Sequence, residues 1–142
     1  MENKAYDLGR FISAQRRDFP TALEEIRQGR KRSHWMWYIF PQLRGLGMSS
    51  TSYFYGIENL EEAKAFLDDP YLGKNLREIS EALLSLNTGD ARSVMGSPDD
   101  LKLRSSMTLF ALAAPEEPVF KRVLEKFYRG LLDQATLHIL GL

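Results

Sequence analysis

The chain is interrupted at short intervals by helix breakers and helix starters, and this punctuation constrains the fold more than any other feature. Pro20, Gly29, Pro41, Asn59, Pro70, Gly89, Pro98, Pro115 and Gly130 leave stretches of ordinary helix length, about 8–20 residues, between them. Within those stretches apolar residues recur at helical spacing. Leu8, Phe11 and Ile12 share a face in Asp7 to Arg17. Pro20 is placed for the first turn of a second helix, which carries Ala22, Leu23 and Ile26 and ends at Gly29. Further on, Ser33 is a candidate cap for a short helix stopped by Pro41, although the aromatic content of Trp35 to Phe40 also allows a strand. Residues 45–57 hold three glycines, three serines, a threonine and two tyrosines, a loop composition.

The second half is punctuated in the same way. Asn59 caps a helix over Leu60 to Leu67, and Pro70 opens Tyr71 to Leu86 with its stripe of Leu72, Leu76, Ile79, Leu83 and Leu86. Asp90 to Met95 reads as a short helix. Ser97-Pro98-Asp99-Asp100 combines a cap, a proline at the first position and acids in the first turn, for a helix reaching Ala114. Pro118 to Arg129 and Gln134 to Leu140 complete the series, the last capped by Asp133. Few segments alternate with period two. The expected fold is all-α: an irregular bundle of about eight or nine short helices, in a single domain spanning residues 1–142.

A chain of 142 residues buries about two-thirds of its surface on folding, so it needs neither disulfide nor metal as a staple. It has no cysteine, which excludes disulfides, thiolate nucleophiles, zinc fingers and iron–sulfur clusters. No motif implies a cofactor or a built-in metal. The 19 basic and 19 acidic residues balance, which argues against a general nucleic-acid or membrane-surface binder while leaving room for a local basic patch. No run approaches the 18 or so consecutive apolar residues of a transmembrane helix, and the opening MENKAYDLGR is too polar for a signal peptide. The expected location is the cytoplasm.

Two segments carry more chemistry than packing requires. From Arg30 to Gly47, the basic residues Arg30, Lys31, Arg32 and Arg44 stand beside His34, Trp35, Trp37, Tyr38, Phe40 and Gln42. Guanidinium forks bind phosphate and aromatic faces stack on flat rings, so this mixture suits an anionic, nucleotide-like ligand. The competing reading puts the aromatics in the core and the basic triplet in solvent. From Ser97 to Ala114, Lys102, Arg104, Ser105, Ser106 and Thr108 interrupt an apolar helix. Either they line a pocket or the small residues pack helices together while the cations are solvated. Asp99 and Asp100 are read first as helix-dipole partners and only second as a general base or metal ligands. The glycine-rich stretch after Arg44 lacks the ending of a P-loop and reads as a loop. His138 reads as a packed or surface histidine, and no HExxH or GxSxG pattern exists.

The blocks GRKRSHWMWYIFPQLRGLG and SPDDLKLRSSMTLFA, with YGIENLEEAKAFLDDPYLGKNLRE between them, resemble the domain-of-unknown-function family 1810. Its members are small bacterial proteins, some labelled calpastatin. The resemblance extends from Tyr6 to Leu140 and implies a helical fold without implying an activity.

Two functions compete. In one, the chain binds or processes a nucleotide-like or other phosphate-containing small molecule. Arg30, Arg32 and Arg44 hold phosphate, Trp35 or Trp37 stacks a ring, and Gln42, Lys102, Arg104, Ser105 and Ser106 complete the site. His34 serves as acid or base, because histidine changes charge near neutrality. In the other, the chain is a non-catalytic adaptor whose Trp/Tyr/Arg-rich surface meets a protein partner. Convergence of the two blocks on one cavity favours the first, and a flat exposed patch favours the second.

Because the sequence supplies no structural-metal ligand set, thermal melts with and without a chelator are expected to coincide; a large drop in Tm on chelation would contradict this reading.

Overall fold

The breakers divide the described part of the chain, residues 6–142 of a computed structural model, into nine helices with no strand. They are α1 (Gly9–Arg27), α2 (Met36–Ile39), α3 (Ser50–Tyr55), α4 (Leu60–Asp68), α5 (Pro70–Leu84), α6 (Ala91–Met95), α7 (Asp99–Ala113), α8 (Pro118–Tyr128) and α9 (Gln134–Leu140). The first half of the polar opening stretch, residues 1–5, lies outside the described residues. Among the described residues no helix is long and apolar enough to cross a membrane.

Helix α7 is the centre of the bundle. It is buried on nearly every side, from Leu103 through Met107 and Phe110 to Ala113, as befits a helix without a solvated stripe. Helices α4, α6, α8 and α9 pack on it, while α1 lies across α5 and α2. Phe11 of α1 meets Phe66 of α4 edge-on at 5.1 Å, Phe66 meets Phe110 of α7 at 5.4 Å, and Phe110 meets Phe120 of α8 at 5.9 Å. This file of fully buried rings joins four helices through the core.

Capping follows the sequence at most ends. Side chains of Asn59, Asp69, Asp90 and Asp133 accept from the first free amides of α4, α5, α6 and α9. At the other end of α5, the Lys126 ammonium donates to the carbonyls of Leu83, Leu84 and Leu86.

Five local expectations are corrected. Pro20 does not open a second helix: α1 runs through it. The buried stripe Phe11, Ala14, Phe19, Ala22, Leu23, Ile26 stays in phase across Pro20, which sits on the solvent side. The carbonyl of Arg16, on that exposed side, loses only a bond that water can replace. Trp35 to Phe40 is not a strand, and Ser33 does not cap α2; its hydroxyl is engaged by Glu25 instead. Within 45–57, residues Ser50–Tyr55 form a helix, because the Ser49 hydroxyl accepts from Ser52 N at 3.0 Å. Ser97 does not cap α7. Pro98 occupies that position, and the first amides are satisfied by backbone, Asp100 N donating to Gly96 O at 2.8 Å and Leu101 N to Pro98 O at 3.0 Å.

Helices α4 and α5 turn so tightly about Asp69 that a Cβ on Gly73 would lie 2.0 Å from the Leu67 carbonyl oxygen. Gly73→Ala is therefore expected to destabilise the fold by about 3 kcal/mol or more through overpacking. A urea unfolding midpoint equal to that of the native protein would show that the turn relaxes freely.

Candidate functional site

The geometry of the site begins at Glu25, a carboxylate near the end of α1 that is only 8% exposed. Its Oε1 accepts from Arg32 N at 2.8 Å, Ser33 N at 3.0 Å and the Trp35 indole at 2.9 Å, and its Oε2 accepts from the Ser33 hydroxyl at 2.6 Å. Burial alone would raise the pKa of this carboxyl, but the four donors outweigh it and lower the pKa to about 2. The segment after α1 is thus wrapped around a single charge. That wrapping drives Trp35 into the core and starts α2, whose next tryptophan, Trp37, faces α7.

Two lysines complete the junction. The Lys31 ammonium lies 4.9 Å from the Trp35 ring centroid and 3.0 Å from Asp99 Oδ2; the Lys102 ammonium lies 4.0 Å from the Trp37 ring centroid and 3.5 Å from Asp99 Oδ1. Asp99 therefore bridges the two sequence blocks.

Beside this junction opens a cleft of about 300 Å³. One wall comes from Trp37, Gln42, Leu43, Leu46 and Tyr55, the other from Leu101, Lys102, Arg104 and Ser105 of α7, with Asp133 and Ala135 of the α9 start between them. The first wall is held by a short parallel bridge, Ile57 N donating to Gln42 O at 2.8 Å and Arg44 N to Ile57 O at 2.7 Å. Gly56 permits that approach, since a Cβ there would stand 2.8 Å from Arg44 Cβ. Behind it, the buried Arg10 guanidinium donates to Phe54 O at 2.8 Å and Gly56 O at 3.0 Å and pairs with Glu62 at 3.1 Å.

The α9 side is tied to α7 by hydrogen bonds. Arg104 donates to Leu131 O at 3.1 Å and Leu132 O at 2.7 Å. Thr108 Oγ1 accepts from Asp133 N at 2.9 Å. Asp133 Oδ2 accepts from the Ser105 hydroxyl at 3.0 Å and from Thr136 N and Oγ1 at 3.1 and 2.6 Å. Nearby, the Tyr128 phenol donates to Asp100 O, and burial first, then the Asp100 charge, push its pKa up.

Of the residues singled out from sequence, the fold brings Trp37, Gln42, Lys102, Arg104 and Ser105 to the cleft. Trp35 is closed into the core, and Ser106 is fully buried with a hydroxyl that has no hydrogen-bond partner. Arg30, Arg32 and His34 are exposed and lie outside the cleft lining. Arg44 stacks on Tyr53 at 4.3 Å and lines a separate depression with Arg10. Among the described residues no group of three or more His, Asp or Glu side chains is placed to hold a metal ion. Sequence reasoning missed Glu25, Arg10, Glu62 and Asp133's bridging role. Glu25 and Glu62 occupy buried faces of amphipathic helices, and that out-of-phase polarity was the available signal.

An all-α domain with one cleft at a Trp–Lys junction defines the structural class. Residues 5–140 match the family described as "Protein of unknown function (DUF1810)", and the chain belongs to that family. A solved structure, that of the conserved hypothetical protein Rv1873 from Mycobacterium tuberculosis, shares 45% identity and a TM-score of 0.94, over 96% of this chain and 98% of that one. No curated protein matches the chain significantly.

Glu25 yields a pH signature. Its folded pKa lies below the ordinary value near 4.5, so its stabilisation is fully present above about pH 4.5 and is lost as pH falls toward 2. Tm measured between these limits is expected to fall more gently for Glu25→Gln than for the native protein, with the variant less stable at neutral pH. Parallel acid limbs would contradict this.

Proposed function

We propose that the cleft binds a small phosphate-containing or similarly anionic molecule with a flat body, in a cytoplasmic protein. The observation that carries the reading is the Lys102 ammonium. It sits on the cleft wall over Trp37, its carboxylate contact with Asp99 is long at 3.5 Å, and the nearer bond of Asp99 goes to Lys31. A partly desolvated cation with donors to spare, in a largely apolar cleft, suits an anion attached to an apolar group. Trp37, Leu43, Leu46, Tyr55 and Leu101 offer the body its surface, and Gln42 and the remaining N–H groups of Arg104 offer further donors. Binding is the activity this arrangement supports; His34, outside the lining, has no part in it.

A second reading has an observation of its own. Leu101, on the cleft, and Leu131, whose carbonyl bonds Arg104, are large exposed apolar side chains, and Met48 follows the cleft residue Gly47. An apolar rim of this kind suits a protein partner seated over the cleft.

A panel of phosphate-containing ligands screened by thermal shift separates the two. A ligand at about 100 times its Kd stabilises by about 2.7 kcal/mol, or roughly 5 °C or more for a domain of this size. Lys102→Gln is expected to abolish that rise. Arg104→Ala is a poorer probe, because it also frees the Leu131 and Leu132 carbonyls and lowers Tm without ligand. No rise with any anion, or equal rises in native and Lys102→Gln proteins, would favour the partner reading.

A further inference from the structure

Resting on the anion-binding reading above, we infer that the cleft is built for a single phosphate group on one ring system, the size and charge of a nucleoside monophosphate, and that it discriminates against diphosphate-bridged ligands such as ADP-ribose. Three observations converge on this. The first is charge. The charged side chains of the lining are Lys102, Arg104 and Asp133. Arg104 commits Nε and one Nη to the Leu131 and Leu132 carbonyls and is held by them, keeping three N–H groups, while the Lys102 ammonium keeps two donors beside its contact with Asp99. Two cations against one carboxylate leave the lining a single net positive charge, and a second phosphate meets Asp133, which Ser105 and Thr136 hold in place.

The second observation is the backbone. Glycine-rich loops and helix N-termini bind pyrophosphate through free amides. Here three amides in the first turn of α7 are already bonded: Asp100 N to Gly96 O at 2.8 Å, Leu101 N to Pro98 O at 3.0 Å and Lys102 N to Pro98 O at 3.2 Å. The same turn carries the carboxylates of Asp99 and Asp100, which repel a chain of phosphates. Recognition of the anion therefore falls to side chains.

The third is size. A cleft of about 300 Å³ stands at the lower limit of small-molecule sites, roughly 300–1,000 Å³. It has room for one ring system and its anionic group, which a second sugar-phosphate exceeds.

The experiment is isothermal titration calorimetry of the full chain with AMP, ADP-ribose and inorganic phosphate. The expected result is that AMP binds at least tenfold more tightly than either of the others and that Lys102→Gln weakens AMP at least tenfold. ADP-ribose binding as tightly as AMP, with Lys102→Gln weakening both, would overturn the single-phosphate inference and leave the anion-binding reading standing. Inorganic phosphate matching AMP would also overturn the inference, because the ring would then contribute nothing. Absence of binding by all three would overturn the inference together with the reading beneath it. Should Lys102→Gln fail to fold, the ranking of the three probes on the native protein decides the question.

Discussion

One carboxylate determines how the two halves of this molecule meet. Glu25 gathers two backbone amides, a hydroxyl and an indole from the ten residues that follow it, within 2.6–3.0 Å. Without that charge the Arg32 and Ser33 amides, the Ser33 hydroxyl and the Trp35 indole would lose their common acceptor, leaving a polar N–H unpaired in the core. With it, Trp35 is 1% exposed and α2 starts at a defined place and angle. Trp37 then meets Lys102, Lys31 meets Asp99, and the cleft has its first wall.

The same economy governs the other charges near the cleft. Arg10, Arg104 and Asp133 are spent mainly on backbone groups and on neighbouring side chains. Each closes a turn that would otherwise leave carbonyls or amides unpaired beside apolar surface, where an unmade hydrogen bond costs about 1–3 kcal/mol. Lys102 differs because its neighbours are an aromatic face and a carboxylate already engaged elsewhere. The functional reading rests on this contrast between charges used as scaffold and a charge left over.

The polar residues of α7 show why sequence patterns under-determine a site. Ser105, Ser106 and Thr108 look alike in sequence, yet they do three different things. Ser105 returns its hydroxyl to Leu101 O and Asp133 and lines the cleft. Thr108 bonds Arg104 O and receives Asp133 N. Ser106 faces the interior with no partner. A difference of about 100° per residue around the helix axis separates these fates, and only the positions of α9 and α4 decide which face is which. The same holds for the basic block. Arg30, Lys31 and Arg32 are adjacent in sequence, but Lys31 alone turns inward, because Val94 O accepts its amide and Asp99 its ammonium.

By itself the sequence determined the all-helical class, most of the caps, the spacing of the breakers and the apolar stripes. These depend on backbone geometry within a turn or two, where a proline's missing N–H or an Asn59 carbonyl acts on its own neighbours. It also marked the two blocks rich in aromatic and cationic residues. Tertiary structure decided the rest. It carried α1 through Pro20, turned Ser33 from a cap into a ligand of Glu25, buried Trp35 and placed Trp37 against Lys102. The physical reason is range. Caps and breakers act over a few residues, whereas the desolvation of a charge depends on which distant donors the packed helices bring to it, and that is set only when the whole core closes.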